Sequence, residues 1–532
     1  MRKTPLSSLL LLLFVLQLAC KKENDRPQWD VAVKGPILKA SLTLDNLIAD
    51  SLQHTNPDGS LSIVFDSDVF KLDPDSLFKI PDTTLNTLNI WQFITYPVQP
   101  NTPFYSVNNN IQLGISGPQL TEVAIRSGKI KLDIRNTLPS KVIIIYQIPK
   151  AIKNGLPFKV QEVIDSGSIT NPTLFSGTYD LDGYLVDLTG ATGNQFNTAY
   201  YDVQAISDPQ GNAFDIHTGD TLINLNTTIM ELIPEYGRGY LGQKTIHQSG
   251  NSLAGIGQTI RSGTVELDSV TLDLDIENGL GAELQAMISS FSSLNENTGN
   301  SVHLVAPGLL NRFINMNRAT ETGQLSDPVR PTHALIHLDN SNSNLVQLIE
   351  NLPDRLMYDI DFSLNPLGNV SGSNDFLYRD HLVNTHLRVN VPLRFALNQV
   401  VLVDTQEIAT SDLLNLDPVG VSTFTLLVDN GFPFDLDLQL FLINESGSIT
   451  DSLLVPSQIA MANVDVNFRV LSSVRTKIPI PVDGLRKQHL LEARKMAIKA
   501  KFTSPSYPSL VQMYADYHLD LKLIADGIYS IR

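Results

Sequence analysis

The sequence has little cysteine, a deficit of basic residues and few long apolar runs. One cysteine, Cys20, occurs among 532 residues, so no disulfide can form within the chain. Lys and Arg number 38 against 55 Asp and Glu, which gives a formal net charge of −17. This excess of negative charge repels phosphate backbones, and no basic stripe with interleaved aromatics offsets it. We therefore expect no nucleic-acid partner.

Sequence signatures of catalysis are also missing. The chain contains no G-x-S-x-G elbow, no P-loop and no dinucleotide-binding fingerprint. We therefore predict that the protein is not an enzyme and has no catalytic residues and no cofactor. A hydrolase with dispersed carboxylates stays an alternative, because paired carboxylates can come from distant strands and the sequence does not show their separation.

Two short patterns contain metal-ligating residue types. His333 and His337 would share one face of a strand, but the Glu of a zinc-binding H-E-x-x-H helix is missing between them. Asp180, Asp182 and Gly183 begin like a calcium loop, but the later ligands are absent. We interpret both as solvated strand and turn residues and predict no metal site.

The one long apolar run lies near residue 1. Arg2 and Lys3 precede the apolar residues 9–16, and the small residue Ala19 directly precedes Cys20. This is the layout of a secretory signal, and the run is shorter than the ~20 residues that span a bilayer. We predict that residues 1–19 are a cleaved signal peptide.

The end of this segment resembles the signal peptide of bacterial lipoproteins. Leu18, Ala19 and Cys20 fit the usual lipobox, whereas Gln17 stands where an aliphatic residue is commoner. The resemblance implies that Cys20 becomes the lipid-modified first residue, carrying palmitate or similar chains, and that this lipid attaches the protein to the outer membrane. Two or more acyl chains give stable anchoring without a membrane-spanning segment.

Residues 20–28 are predicted to form the lipidated tether. Lys21 and Lys22, followed by Glu23 and Asp25, resemble the surface-export signal of some Gram-negative lipoproteins. A solvated linker explains these charges equally well. The expected location is therefore the outer membrane, at either the periplasmic face or the cell surface.

Alternation of apolar and polar residues dominates the rest of the chain. It occurs in six segments, residues 130–136, 265–276, 356–364, 386–395, 434–443 and 517–525. A period of two places one face of a strand in a core and the other in water. The sequence therefore predicts a mainly β fold with multiple antiparallel β-sandwich-like domains and few short helices.

Helical spacing is confined to two segments. Residues 343–352 are stopped by Pro353, and residues 483–497 begin with Asp483 as an N-cap and give way to an alternating strand. Residues 282–291 fit either a helix or a strand.

One strand-ending pattern occurs three times. Asn136, Asn278 and Asn430 each end an alternating segment and are followed by a small residue, an apolar residue, Pro or Gly, and a second apolar stretch. The first two copies also share Ile-Arg-Ser-Gly upstream, at residues 125–128 and 260–263. Asn and Gly tolerate positive φ and Pro cannot continue a ladder, so we expect each copy to bend or interrupt a strand at a fixed point.

These copies are similar to strand–turn–strand patterns in the late-embryogenesis-abundant type of β-sandwich. That family is generally non-enzymatic, so the resemblance implies a repeated sandwich unit and transfers no functional residue. Gly-rich residues 237–257 and residues 409–420 are predicted boundaries. They divide the body into domains at residues 29–236, 237–412 and 413–532.

Aromatic residues provide one further hint of function. Trp29, Trp91, Tyr200 and Tyr201 would suit glycan binding if exposed, and core packing if buried. The favoured interpretation is a lipid-anchored structural, binding or accessory subunit of an envelope complex, with the membrane and an envelope protein as candidate partners. A carrier or binder of an apolar or glycan ligand is the first alternative.

Overall fold

The computed structural model describes residues 29–43, 53–77, 79–253, 260–324, 326–408, 423–454 and 458–531. Strands make up 63% of the described residues and helices 4%, and every strand pairing with a described register is antiparallel. The predicted mainly β, sandwich-like fold with few short helices is confirmed. The described residues divide into two compact units, each assembled from separate chain segments.

The first unit takes its described residues from Met1–Ile63, Gly255–Asp268 and Pro392–Arg532. Its first sheet has the order β1-β36-β28-β33, and its second has the order β16-β27-β34-β29-β30 with β35 on β27. A short hairpin, β31–β32, and the strand β2, which pairs with residues 61–63 of the same unit, complete it. The strands are β1 (Trp29–Thr43), β2 (Gln53–Thr55), β16 (Ile260–Leu267), β27 (Arg394–Glu407), β28 (Thr423–Asn430), β29 (Asp435–Asn444), β30 (Ile449–Leu454), β31 (Asn463–Val464), β32 (Val470–Ser472), β33 (Val474–Pro481), β34 (Ala493–Thr503), β35 (Val511–Gln512) and β36 (His518–Ile531).

The second unit comprises Val64–Ala254 and Ser269–Val391. Its largest sheet has ten strands, in the order β25-β14-β7-β11-β8-β12-β6, with β10 on β7, β4 on β14 and β9 on β8. These strands are β4 (Thr83–Ile90), β6 (Pro103–Gln112), β7 (Gln119–Asn136), β8 (Val142–Lys153), β9 (Leu156–Ile164), β10 (Thr173–Asp180), β11 (Leu185–Asp187), β12 (Thr198–Ser207), β14 (Thr221–Tyr240) and β25 (Asp375–Tyr378).

The remaining strands of this unit form two further sheets and two small pairs. One sheet has the order β15-β24-β18-β19 with β20 on β18, the other contains β3-β26-β17-β23, and the small pairs are β5–β13 and β21–β22. They are β3 (Leu61–Lys71), β5 (Tyr96–Val98), β13 (Phe214–Ile216), β15 (Lys244–Leu253), β17 (Thr271–Asn278), β18 (Leu284–Leu294), β19 (Ser301–His303), β20 (Phe313–Met316), β21 (Thr320–Gln324), β22 (Asp327–Arg330), β23 (Thr332–Leu338), β24 (Arg355–Leu364) and β26 (Val383–Pro392).

Period-two patterning places the cores. In β29, Leu436, Leu438, Leu440 and Leu442 are all buried, whereas the residues between them face outward at least in part. Such burial removes the branched side chains from water and stabilises each by roughly 1.5–3 kcal/mol. The same alternation in β17 and β18 builds the core of the second unit.

Two of the six predicted strands are interrupted. The alternating residues 265–276 form the end of β16 and the start of β17, with a break at residues 268–270, and residues 386–395 are divided at Leu393. In residues 386–395 the alternation continues through Leu393, so pattern alone could not locate that break. In residues 265–276 the apolar positions change from odd numbers (265 and 267) to even numbers (270, 272, 274 and 276), and this change of phase coincides with the break. Residues 282–291, which were ambiguous, lie mostly in β18.

Both predicted helices are present but shorter than the pattern indicated. The described helices are α1 (Pro74–Leu77), α2 (Leu345–Glu350) and α3 (Gly484–Glu492). The side chain of Asp483 accepts a hydrogen bond from the backbone N–H of Arg486, which is the expected N-cap. Strand β34 begins directly after α3, as its alternation predicted.

The three-fold repeated pattern forms the same corner each time. Asn136, Asn278 and Asn430 are the last residues of β7, β17 and β28, and their side chains are 6%, 0% and 0% exposed. Each side-chain oxygen accepts from the backbone N–H two residues on, and each amide donates to the carbonyl four residues on. The N–H donors belong to Leu138, Leu280 and Phe432, and the carbonyls to Ser140, Ala282 and Phe434.

A returning segment closes each corner. The same Asn amide donates to a second carbonyl, 29, 39 or 30 residues further along the chain, on Asp165, Asn317 and Ala460 respectively. Two residues after each of these carbonyls, a backbone N–H donates to the carbonyl of the apolar residue at the corner. The donors are Gly167, Ala319 and Ala462, and the acceptors are Leu138, Leu280 and Phe432 respectively. Identical bonding in three places confirms the predicted strand interruption. We call this set of bonds the Asn corner.

Of the two predicted domain boundaries, one lies within a strand and the other lies outside the described residues. Residues 236 and 237 both lie within β14 and pair with β7, and β15 occupies residues 244–253 of the Gly-rich stretch. Residues 409–420 lie outside the described part of the chain. The division into domains at 29–236, 237–412 and 413–532 stays a prediction. No helix among the described residues is long and apolar enough to cross a membrane.

Candidate functional site

The predicted lipidation site, Cys20, lies outside the described residues, as do the signal peptide and the tether. The structure therefore bears only on candidate sites in the two folded units. Within the described residues, no group of three or more His, Cys, Asp or Glu side chains could hold a metal ion.

The histidine pair and the calcium-like loop are both accounted for by contacts within the fold. His333 contacts Asp275, with 3.0 Å from its Nδ1 to the carboxylate, and His337 contacts Asp273 at 2.6 Å. These are cross-strand contacts between β23 and β17 on an exposed sheet face. In the loop, the Asp182 carboxylate accepts from the backbone N–H of Gly128 at 2.9 Å. Asp182 therefore fastens a turn to β7.

The tyrosines are divided between core and surface. Tyr201 is buried, stacks on Tyr146 with ring centroids 5.7 Å apart and lies within hydrogen-bond distance of Thr87, whereas Tyr200 is half-buried. Core packing therefore explains Tyr201. Trp29 begins β1, and Trp91 lies in the connection between β4 and β5.

Trp91 begins an exposed apolar segment of the second unit, residues 91–96, which we call the apolar loop. Its Ile94 is 86% exposed and its Phe93 is 66% exposed, and Tyr96 is also exposed. Phe93 packs edge-on against Trp91 with centroids 5.0 Å apart. Large aliphatic and aromatic side chains displayed this far from a core mark a contact surface when they occur together.

Hydrogen bonds hold the apolar loop against the turn at residues 217–220. The backbone N–H of Trp91 donates to the backbone carbonyl of Asp220 at 2.8 Å, and the backbone N–H of Gly219 donates to the backbone carbonyl of Trp91 at 2.9 Å. The Thr218 hydroxyl donates to the carbonyl of Phe93 at 2.5 Å. Gly219 has φ of +99°, a left-handed conformation that glycine adopts without strain and that this turn requires.

An aromatic base supports the loop from below. Val98, Ile216 and Leu222 form a buried cluster, and Trp91, Phe104, Tyr105 and Phe214 pack against it. The Trp91 indole N–H donates to the carbonyl of Ile94 at 2.9 Å. The exposed tip is thus braced by a second, buried layer, and its one indole donor is already satisfied.

The segment around the loop carries no charge. Between Asp82 and Glu122 there is no Asp, Glu, Lys, Arg or His, in a chain that is 17% charged overall. Sequence reasoning singled out Trp91 but missed Phe93 and Ile94. The run without charge was the signal that could have identified them, because an uncharged surface can lose its water at the lowest cost.

A second feature is a histidine held between two carboxylates on the exposed face of the β3-β26-β17-β23 sheet. His386 on β26 places Nε2 2.7 Å from Asp66 and Nδ1 3.0 Å from Asp68, both on β3. A neutral imidazole has one N–H, whereas both of these contacts need a donor. The geometry therefore favours the imidazolium, and hydrogen bonding to Asp68 raises the pKa of His386.

We expect the His386 imidazole to titrate above its usual pKa of 6.5, as measured by NMR. Replacing Asp68 by asparagine should lower that pKa, because one accepting carboxylate is lost. Because the pKa of His386 is higher in the folded than in the unfolded protein, its ion pairs stabilise the fold. This stabilisation is complete at a pH below the unfolded pKa and disappears as the pH rises through the folded pKa. A His386 pKa unchanged by Asp68→Asn would contradict this.

Two apolar cavities lie inside the second unit. One is lined by side chains including Leu274, Ile288 and Ile360, the other by side chains including Ile125, Ile148 and Ile229. Each encloses about 30 Å³. Sites for small molecules typically measure ~300–1,000 Å³, whereas one water needs ~10–15 Å³, so these two are packing voids.

No family model and no curated protein matches this chain. Among solved structures, a protein from Parabacteroides distasonis, provisionally assigned as secreted, is 16% identical over 53% of this chain and 83% of its own, with a TM-score of 0.29. A triple jelly-roll protein of an archaeal virus is 13% identical over 84% of this chain and 90% of its own, with a TM-score of 0.13. Likenesses this distant carry no argument about function, and the resemblance of the Asn corners to the late-embryogenesis-abundant type stays a prediction.

Proposed function

We propose that this chain is a lipid-anchored outer-membrane protein that acts as a structural, binding or accessory subunit of an envelope complex. The observation that carries the proposal is the N-terminal pattern, in which a basic n-region and an apolar run end at the chain's one cysteine, Cys20. A diacylated or triacylated cysteine would hold an acidic body durably at a membrane surface.

The described body is compatible with binding and display. Its exposed faces carry cross-strand ion pairs, such as that of Lys501 with Asp437, which leave the carboxylates engaged and solvated. The braced apolar loop provides a contact surface without any charged side chain. Neither of the two small cavities is large enough to enclose an apolar ligand, and no described observation favours a hydrolase.

Acylation of Cys20 is the first test. In cells fed an alkyne-labelled palmitate, the wild-type protein should take up label and fractionate with outer membranes. Cys20→Ser should abolish labelling and release the protein from the membrane fraction, because no other thiol exists in the chain. Gln17→Leu, which installs the commoner lipobox residue, is the matched control and should label at least as well. Undiminished labelling of Cys20→Ser would refute the anchor.

The subunit role needs its own experiment. Affinity purification of the acylated protein from solubilised membranes, followed by mass spectrometry, should recover an envelope protein in stoichiometric amount. Recovery of the protein alone, across several mild detergents, would count against a subunit and leave anchoring untouched.

A further inference from the structure

We infer that the apolar loop is a membrane-contacting loop, with Phe93 and Ile94 inserting among the acyl chains of a lipid bilayer. The inference deepens the proposed function and rests on it in one respect, since a lipid on Cys20 would bring the folded units close to a bilayer. The loop itself adds a second, independent attachment made by side chains.

The shape of the surface favours a bilayer over a ligand. A side chain that is 86% exposed, like Ile94, has almost no protein around it, so the tip is convex and cannot enclose a small molecule. A protein partner would need a socket shaped to this tip and a standard interface of ~800 Å² on each side. A bilayer accepts a projecting apolar tip without any matching shape.

The chemistry of the tip points in the same direction. Phe93 and Ile94 have no polar atoms in their side chains, and the indole N–H of Trp91 is committed to the carbonyl of Ile94. A glycan platform needs several donors and acceptors beside its rings. The apolar tip has none, and the loop's exposed polar side chains, Gln92 and Thr95, flank it one on each side. Trp91 and Tyr96, set beside the tip, are the residue types that settle at the level of lipid head groups.

Charge decides where on the molecule such contact can occur. The protein carries a formal net charge of −17 and would be repelled by anionic lipid over most of its surface. The run without charge between Asp82 and Glu122 means that the apolar loop has no charged side chain of its own to desolvate at a bilayer. The ionisable groups of the supporting turn, His217 and Asp220, lie 3.6 Å from each other. The hydrogen bonds to residues 217–220 fix the loop in advance, so insertion does not have to order it.

The test uses Trp91 as a depth probe. The chain has two tryptophans, so Trp29→Phe leaves Trp91 as the single reporter. The acylated protein is reconstituted into phosphatidylcholine vesicles with or without dibrominated acyl chains, which quench tryptophan at close range. We expect brominated lipid to lower Trp91 emission about twofold or more, as for a ring at the membrane interface.

Two variants made in this background control the experiment. Phe93→Ser with Ile94→Ser should restore most of the emission, because the tip that holds the loop in the bilayer is gone. Val466→Ser with Leu471→Ser removes equally exposed apolar side chains, 94% and 70% exposed, from the loop of the β31–β32 hairpin and from β32, and should leave quenching unchanged. Circular dichroism establishes that each variant is folded.

The outcomes separate this inference from the proposed anchor. Incorporation of the acylated protein without quenching of Trp91 would overturn the inference and leave the anchor intact. Quenching of the Cys20→Ser protein at high lipid concentration would support the inference even if the native protein proved unacylated. Quenching that persists in the Phe93→Ser, Ile94→Ser variant would overturn it. A protein-docking surface would be identified instead by two results together. Brominated lipid would fail to quench Trp91, and the variant with Phe93→Ser and Ile94→Ser would lose a protein that co-purifies with the wild type.

Discussion

Replacing Asn430 by alanine is expected to lower the free energy of unfolding by about 3–5 kcal/mol. The side chain is fully buried and makes three hydrogen bonds, accepting from Phe432 at 2.9 Å and donating to Phe434 at 3.0 Å and Ala460 at 2.9 Å. Alanine removes all three and leaves one backbone N–H and two carbonyls without these partners. Urea unfolding followed by circular dichroism measures the loss.

Hydrogen exchange locates the effect of this substitution. The amide of Phe432 should exchange much faster in the variant, because its acceptor is the removed side chain. Asn463→Ala in the same unit is the matched control, since Asn463 is exposed and makes one described side-chain hydrogen bond, to Ser472. That change should alter stability by no more than about 0.5 kcal/mol. Equal effects of the two substitutions would show that the corner does not stabilise the fold as argued.

Gly279→Ala is expected to destabilise the second unit by about 2–3 kcal/mol. A Cβ at Gly279 would lie 2.7 Å from the carbonyl oxygens of both His381 and Leu382, well inside van der Waals contact. The obstacle is backbone, which cannot rotate away as a flexible side chain can. The Gly279 N–H also donates to Leu382 at 2.6 Å, so any shift that relieves the clash weakens that bond.

The first copy of the corner provides the control for this substitution. Thr137 occupies the position equivalent to Gly279, so the backbone there already accommodates a Cβ. Thr137→Ala should therefore change the unfolding free energy by no more than about 0.5 kcal/mol. Thermal unfolding of the two variants beside the wild type measures the contrast. A Gly279→Ala variant as stable as the wild type would mean that the backbone at His381 and Leu382 moves to make room for the Cβ.

Local chemistry allowed much of the fold to be predicted from the sequence. Alternation predicted strands such as β24 and β29, and Asp483 predicted a helix start, because each depends on neighbours a few residues away. The Asn corners were recognisable for the same reason, since Asn136 bonds to residues two and four positions on. The returning carbonyl of Asp165 was not predictable, because nothing in its own sequence context marks it as an acceptor.

Non-local arrangement is where sequence reasoning failed. The first unit collects segments from both ends and from residues 255–268, which no local pattern indicates. The sequence analysis also predicted one strand over residues 265–276, where the apolar positions change phase at the break between β16 and β17. The candidate site was found only in part. Trp91 was recognisable as an aromatic residue, but the exposure of Phe93 and Ile94 depends on the turn at residues 217–220, far along the chain.

The uncharged segment around the apolar loop also determines how the protein responds to proteases and labels. The nearest trypsin sites are Lys79 and Arg126, so trypsin cannot cut anywhere within the loop or its supporting strands β4, β5 and β6. Amine-reactive crosslinkers find no lysine there either. Chymotrypsin, which cleaves after aromatic residues, has an exposed target at Phe93. Protection of that bond by vesicles or by a partner would therefore be visible to one protease and invisible to the other.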